Sequence, residues 1–328
     1  MSTVTETDQA LDELRRAEKL LLTSHENPDG DALGSLLGMR EVLRALGKDV
    51  VMIISPGDLP LPHEYRHMPF ADLVTVPPGD LEERVAVFLD CGNIDRTPVG
   101  FLRGEGVHIL NIDHHHDNTR FGTVNLVDAT ASCTAEIVFN LARELGVEMT
   151  RAIAEPLYIG LVTDTGRFTY ENTTAGCHQM AAELIEAGVE VERVSRRLYE
   201  NLPYARVLLL QHALANVYRF DEGALTATVL TVDDFEQAGA EETDSEGIVD
   251  VLRSVEGTKV AMLVRDRPDG EGDRMRKVSL RSTDGTVDVS RIARSLGGGG
   301  HRQAAGFSSG LPVPELFERV REEVAGQS

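Results

Sequence analysis

The sequence predicts an α/β protein: an N-terminal doubly wound, mainly parallel sheet with helices on both faces, then a smaller C-terminal α+β lobe with a mixed sheet. Three observations carry this. Near-continuous apolar runs of strand length recur at 20–24, 49–54, 85–89 and 107–112. Helical patterns fall between and after them, as in sheets buried on both faces. Beyond residue 218 the pattern changes to strands around a hairpin signal.

Taken in order, residues 1–18 read as a helix that packs on the segment after it. Leu20-Leu21-Leu22 starts the first strand. Residues 31–46 carry the apolar stripe Leu33, Leu36, Leu37, Met39, Leu43 and Leu46, a helical period that ends at Gly47. Strands at 49–54, 85–89 and 107–112 come next, then helices at 132–145, 151–163 and 174–187, the first and last stopped by Gly146 and Gly188. A long helical stretch at 190–217, broken at Asn201-Leu202-Pro203, links the lobes. The division expected is 1–190, a linker over 191–217, and 218–328. The second lobe has strands at 224–230, 258–265 and 275–282, the last two flanking Arg267-Pro268-Asp269-Gly270-Glu271-Gly272, and helices at 244–255, 288–296 and 312–325.

Composition narrows the functional classes. A chain of 328 residues with 41% hydrophobic and 26% charged residues forms real cores and a charged surface. A net charge of −22 argues against gripping a long nucleic acid through a broad basic face. Basic residues concentrate locally between Arg265 and Arg302, and Arg265, Arg267, Arg274, Arg276 and Lys277 read as a solvated hairpin. No window approaches 18 apolar residues, so no transmembrane helix is expected, and the polar, acidic start lacks a secretory apolar core. The three cysteines, Cys91, Cys133 and Cys177, lack ligand spacing and read as buried thiols in a reducing cytoplasm.

The chemistry concentrates at strand ends. His25-Glu26-Asn27-Pro28-Asp29-Gly30-Asp31 joins a strand to a helix and projects one imidazole and two carboxylates there. Asp90 ends a second run, Asp113-His114-His115-His116 a third, and Asp164-Thr165-Gly166 comes after a helix. Singly, Asp29 is a turn residue, Asp31 a helix N-cap and Asp90 a strand-end cap. His108 and His178 read as structural or surface histidines. Together the acids pose an electrostatic problem: two unit charges about 4 Å apart repel by about 4 kcal/mol at an effective dielectric near 20. Two divalent cations relieve it, and oxygen and imidazole donors without cysteine favour a Mn²⁺- or Mg²⁺-type centre over structural zinc.

In that order these motifs, with the stretch running on through Ala32-Leu33-Gly34-Ser35, resemble those of the DHH phosphoesterase superfamily. Gly297-Gly298-Gly299-Gly300-His301-Arg302-Gln303-Ala304-Ala305-Gly306-Phe307 is similar to the glycine-rich motif of its DHH-associated domain, with Arg302 where proline is common. In layout the chain is most similar to the oligoribonuclease (nano-RNase) and pAp-phosphatase branch, some members of which hydrolyse cyclic di-AMP or pApA. The resemblance implies a catalytic metal-binding first domain and a substrate-binding second one. One metal would be held by His25, Asp29 and Asp90, the other by Asp31, Asp90, His114 and Asp164. Asp113 would orient His114, and His115 would act as general acid or phosphate ligand; His116 has no role. Asn27, Arg281, Ser282, Gly298, Gly299, Gly300, His301 and Arg302 would hold substrate, the glycines by letting backbone amides approach a phosphate.

The function so implied is hydrolysis of very short oligoribonucleotides, dinucleotides such as pApA, and pAp or cyclic di-AMP. The cofactor expected is a pair of Mn²⁺ ions, with Mg²⁺ or Co²⁺ as substitutes, and a homodimer through the first domain is part of the resemblance. The competing readings are a manganese pyrophosphatase, a RecJ-like single-strand exonuclease, or a nucleotide sensor without turnover.

Overall fold

The computed structural model describes residues 4–97, 99–104, 106–266, 275–283, 285–300 and 302–327. The chain separates into two compact units, Met1–Asn201 and Leu202–Ser328.

The first unit opens with α1 (Glu6–Arg16), started by a capping box between Thr5 and Asp8. Then come β1 (Lys19–Thr23), α2 (Gly30–Ala45), β2 (Asp49–Ile53), β3 (Leu73–Val74), β4 (Val85–Leu89), β5 (Ile109–Asp113) and β6 (Val124–Val127). It continues with α3 (Thr134–Glu144), α4 (Arg151–Asp164), α5 (Ala175–Glu186), α6 (Val191–Ser195) and a π-helical turn at Arg196–Glu200. The strands form one parallel sheet in the order β3-β2-β1-β4-β5-β6. Alternation assigns the faces. Leu20 and Leu22 join the cluster built from the α-helices, whereas Leu21 packs with Phe88, Val99 and Leu102 under short 3₁₀ turns.

That strand order places the site. Connections leave β1 toward β2 and leave β4 toward β5, in opposite directions along the sheet. A crevice therefore opens between the carboxyl ends of β1 and β4, where doubly wound sheets hold ligands. Helices α2 and α4 pack closely above it because glycines line the contact. A Cβ at Gly34 would lie 2.4 Å from the Pro156 carbonyl oxygen, and one at Gly38 2.4 Å from Leu157.

The second unit contains α7 (Tyr204–Ala215), β7 (Tyr218–Phe220), β8 (Leu225–Leu230), α8 (Val232–Ala238), α9 (Ile248–Arg253), β9 (Val260–Asp266), β10 (Arg276–Ser282), α10 (Val289–Ser295), β11 (Gly299–Gly300), β12 (Ala304–Ser309) and α11 (Val313–Ala325). Its sheet runs β11-β12-β10-β9-β8-β7 and is mixed: β8 and β9 pair parallel, the remainder antiparallel. One face packs on α10 and α11, the other on α7, α8 and α9.

Several elements differ from the sequence reading. The helix expected over 244–255 is a 3₁₀ turn (Glu242–Ser245) and then α9, separated by Gly247 at φ 77°. The stretch 190–217 is α6, a π turn and α7, with Pro203 as N-cap of α7. The strands β3, β6, β7 and β11 are too short, and β12 and the helix α8 carry too few apolar residues, to stand out by period. The hairpin signal Arg267 to Gly272 lies outside the described residues, as does Arg274; Arg265, expected on a solvated hairpin, is instead buried on β9, with its guanidinium donating to the Ser245 hydroxyl at 2.9 Å. No described helix is long and apolar enough to cross a membrane.

Candidate metal centre

The turn after β1 is shaped by its own polar residues. Asn27 takes a left-handed φ of 52°, which asparagine tolerates, and its backbone N–H donates to Asp58 Oδ1 at 2.9 Å. Asp29, not Asp31, is the N-cap of α2: its Oδ1 accepts from the backbone N–H groups of Asp31 (3.0 Å) and Ala32 (3.1 Å). Asp31 is thereby turned inward and buried. Its carboxylate accepts the N–H groups of Thr134 (2.7 Å) and Ala135 (2.9 Å) at the start of α3, and the Ser35 hydroxyl at 3.3 Å. These are orphan donors at the positive end of a helix, so a buried carboxylate suits them.

Asp90 stands at the centre, just past β4, with φ 60°. Its Oδ1 accepts from the Thr134 hydroxyl at 3.0 Å. His25 Nε2 lies 3.6 Å from its Oδ2, and His114 Nε2 and His115 Nδ1 each lie 3.6 Å from its Oδ1. Asp164, the last residue of α4, has Oδ2 3.8 Å from His114 Nε2 and 3.2 Å from Asn172 Nδ2. The ligand atoms of His25, Asp29 and Asp90 lie within 4.8 Å of one another, as do those of Asp31, His114 and Asp164. Asp90, His114 and His115 form a third such group on the same limit of 4.8 Å.

One expected contact is replaced. The resemblance implied that Asp113 orients His114; its Oδ1 instead meets His115 Nδ1 at 2.7 Å. The His114 and His115 rings both converge on Asp90 Oδ1, edge to face with centroids 4.8 Å apart, and of the two it is the His115 ring that meets Asp113. Asn118 holds the second oxygen of Asp113 at 2.5 Å. His116 is exposed.

Electrostatics follow from burial and crowding. Burial, reinforced by Asp90 and Asp164, raises the Asp31 carboxyl well above its ordinary range. Burial, reinforced by Asp29 and Asp90, does the same to Asp164. Burial also opposes ionisation of Asp90, but His25, His115 and His114 outweigh it and hold its pKa far down. Burial opposes charge on His115 as well, yet Asp113 and Asp90 lift it to about 9. His25 is likewise raised against burial, by Asp90 and Asp29. The donor set fits divalent cations. Four carboxylates (Asp29, Asp31, Asp90 and Asp164) and three imidazoles (His25, His114 and His115) make up these groups, and hard or borderline cations take such ligands. Cys133, just ahead of α3, belongs to none of these ligand groups among the described residues, and burial and then Asp31 and Asp164 push its thiol up.

In the second unit, Arg281 and Ser282 occupy successive positions of β10 and face opposite sides of the sheet. Arg281 Nε lies 3.5 Å from Asp250, and Ser282 is fully buried. Gly298 and Gly300 have packing reasons to be glycine: a Cβ would come 2.1 Å from the Gly306 oxygen and 2.6 Å from the Ala304 oxygen, respectively. Gly299 pairs with Gly306 across the hairpin and has open space beside it. Arg302 Nε donates to the Gly285 carbonyl at 3.0 Å. His301 lies outside the described residues.

Sequence reasoning missed Thr134, Asn118, Asn172 and Arg96. Arg96 lies close enough that its charge opposes protonation of both His25 and His115, and its carbonyl accepts the Glu26 N–H at 2.8 Å. Only Thr134 had a local signal: Ser132-Cys133-Thr134 ahead of an apolar period marks a helix start, hence an anion-binding end.

Residues 19–161 match the DHH family, N-terminal domain, and residues 222–326 match the DHHA1 domain. The chain is 40% identical over 312 residues to the bifunctional oligoribonuclease and PAP phosphatase NrnA of Thermus thermophilus, covering 93% of this chain and 89% of that one. It is 28% identical over 296 residues to the protein of the same description from Bacillus subtilis, covering 89% of each. Among solved structures, an exopolyphosphatase-related protein from Bacteroides fragilis shares the fold with a TM-score of 0.87 at 24% identity over 99% of this chain and 98% of that one. RecJ of Thermus thermophilus in complex with Mn²⁺ shares it with a TM-score of 0.60 at 16% identity, over 98% of this chain and 55% of that one.

Proposed function

The chain belongs to the DHH family with a DHHA1 domain, and we propose that it is a two-metal phosphodiesterase that hydrolyses very short oligoribonucleotides, dinucleotides such as pApA above all, and also pAp and cyclic di-AMP. The observation that carries this reading is the pair of three-residue ligand groups, His25, Asp29 and Asp90 beside Asp31, His114 and Asp164. Asp90, within 3.6 Å of both His25 and His114, would be the ligand common to the two groups. His25, Asp29, Asp90, Asp31, His114 and Asp164 would hold two divalent cations such as Mn²⁺, which would supply Lewis acidity toward an attacking water and the phosphoryl oxygens. A net charge of −22 sets this reading apart from enzymes that track long strands.

The protein's own residues supply orientation and a proton. Asp113 fixes the His115 ring through Nδ1, so the proton available for transfer is the one on Nε2. Asp113 and Asp90 favour the protonated imidazole, and His115 serves as general acid to the departing ester oxygen. Asp31 and Asp90 are held by α3 and the Thr134 hydroxyl, which preorganises the ligands before any cation arrives. In the second unit, Gly299, Arg281, His301 and Arg302 grip the substrate phosphates.

The test is a panel of pApA, pAp, cyclic di-AMP, pyrophosphate and longer oligonucleotides with Mn²⁺. Mononucleotide release from pApA, falling with chain length, is expected. Orthophosphate from pyrophosphate as the main product, or processive digestion of long strands, refutes the reading.

A further inference from the structure

The loop after Asp164 contains three consecutive left-handed residues: Gly166 (φ 55°), Arg167 (φ 63°) and Phe168 (φ 63°). Glycine adopts this conformation readily; arginine and phenylalanine do not, and two in succession are disfavoured. The surroundings enforce it. The N–H of Arg167 donates to the Val162 carbonyl at 2.8 Å, and the N–H groups of Thr169 and Tyr170 both reach the Thr165 carbonyl at 3.0 Å. The Tyr170 ring leaves no room for a Cβ at Gly166, the nearest ring atom being 2.4 Å away. Phe168 stacks on His178 with centroids 4.8 Å apart. At the far end of the loop, Asn172 Nδ2 returns to Asp164, 3.2 Å from its backbone oxygen and 3.2 Å from Oδ2. The loop is thus fastened to Asp164 at both ends, and its strained tip carries Arg167 outward.

Arg167 is exposed, and its guanidinium lies 4.9 Å from the centroid of the Tyr199 ring. Among the described residues no carboxylate forms a salt bridge with it, in a chain with 54 acidic against 32 basic residues. The cation–π contact with Tyr199 steadies the guanidinium and leaves its N–H groups for an anion. Strain kept at such a tip, beside a metal-binding residue, fits placement of that cation. We propose that Arg167, steadied by Tyr199, binds a phosphate of the substrate other than the scissile one, and so selects substrates that carry a terminal phosphate. A guanidinium edge recognises phosphate bidentately, which a nucleobase face or a ribose does not reward. This inference rests on the phosphodiesterase reading above.

The experiment compares pApA with ApA, which differ only in the terminal phosphate, in the full-length protein with Mn²⁺. The wild type is expected to prefer pApA in kcat/KM, and Arg167→Gln to reduce that preference about tenfold or more. Tyr199→Leu should reduce the preference less, and Arg167→Lys should keep part of it, since lysine retains the charge and loses the fork. A loss that is equal on both substrates, or no loss on either, overturns the assignment. If the wild type hydrolyses neither, the phosphodiesterase reading fails by itself, and calorimetric binding with Ca²⁺ in place of Mn²⁺ decides the point. Tighter binding of pApA than ApA that disappears in Arg167→Gln sustains the assignment; identical binding of the two by the wild type overturns it.

Discussion

Gly160 lies against Asp31 so closely that a methyl group at position 160 would meet Asp31 Oδ1 at 2.8 Å and the Ala135 Cβ at 2.7 Å. The glycine on α4 therefore sets where a carboxylate on α2 can stand. Gly160→Ala must push Asp31 away from the N–H groups of Thr134 and Ala135. The expected result is a loss of about 1–3 kcal/mol from overpacking, together with weakened Mn²⁺ binding. Gly79→Ala, with open space around it, is the control and should stay within about 1 kcal/mol of the wild type. Urea denaturation and Mn²⁺ titration measure both; an unperturbed Gly160→Ala protein would contradict the packing argument.

Stability of the metal-free protein should fall as pH rises. Burial, then Asp90 and Asp164, place the Asp31 pKa well above its ordinary 3.8, and burial, then Asp29 and Asp90, do so for Asp164. Despite opposing burial, Asp113 and Asp90 lift His115 from 6.5 to about 9. In each case the folded state binds the proton more tightly than the unfolded chain. The stability so gained is complete below the unfolded pKa and is lost as pH climbs through the folded one. Asp90, shifted downward, works the other way, but its window lies below 3.8. Chelated protein is thus expected to weaken from about pH 4 to pH 9. Mn²⁺ at a hundred times its Kd should restore about 2.7 kcal/mol. Denaturation curves across that range, with chelator and with Mn²⁺, test both; no response to Mn²⁺ would sink the metal assignment.

Asp113→Asn removes the charge that keeps His115 protonated, while the amide can still fill the space. The basic limb of the wild-type pH–rate profile should reflect deprotonation of His115, whose Nδ1 meets Asp113, and in the variant that limb should move to lower pH. At pH 8, kcat should drop by about 10²–10⁴ if the proton donor is lost. An unmoved basic limb would remove His115 from that role.

Thr134→Val deletes the hydroxyl that donates to Asp90 at 3.0 Å and leaves the backbone N–H that donates to Asp31. Losing such a support to a metal ligand typically costs about 10–100-fold in affinity. Calorimetric titration with Mn²⁺ should show that loss with little change in overall stability. Equal affinity in variant and wild type would mean that Asp90 holds its position without help.

Much of this architecture was readable from local pattern. The runs at 20–24, 49–54 and 85–89 correspond to β1, β2 and β4 within a residue, because a strand buried on both faces must be apolar throughout. The helix starting near residue 31 was displaced by one position, since either aspartate could have capped it and only the backbone shows that Asp29 does. In the second unit β12 was hidden: its inward residues are only Ala305 and Phe307, too few to mark an alternation among glycine and serine, and its pairing with β10 becomes evident only in the sheet. Arg281 and Ser282 are neighbours in sequence yet lie on opposite faces of β10, which the strand assignment alone already required.

By itself the sequence determined which side chains could do chemistry and at which ends of which elements they lie, because periodicity and turn residues act over a few positions. The tertiary structure alone decided their partners. Strand order brought β1 beside β4, and so His25 to Asp90. The start of α3 reached Asp31 across 103 residues, and Asp113 took His115 in place of His114. Those choices come from close packing and from satisfying buried polar groups in three dimensions, and no local sequence period encodes either.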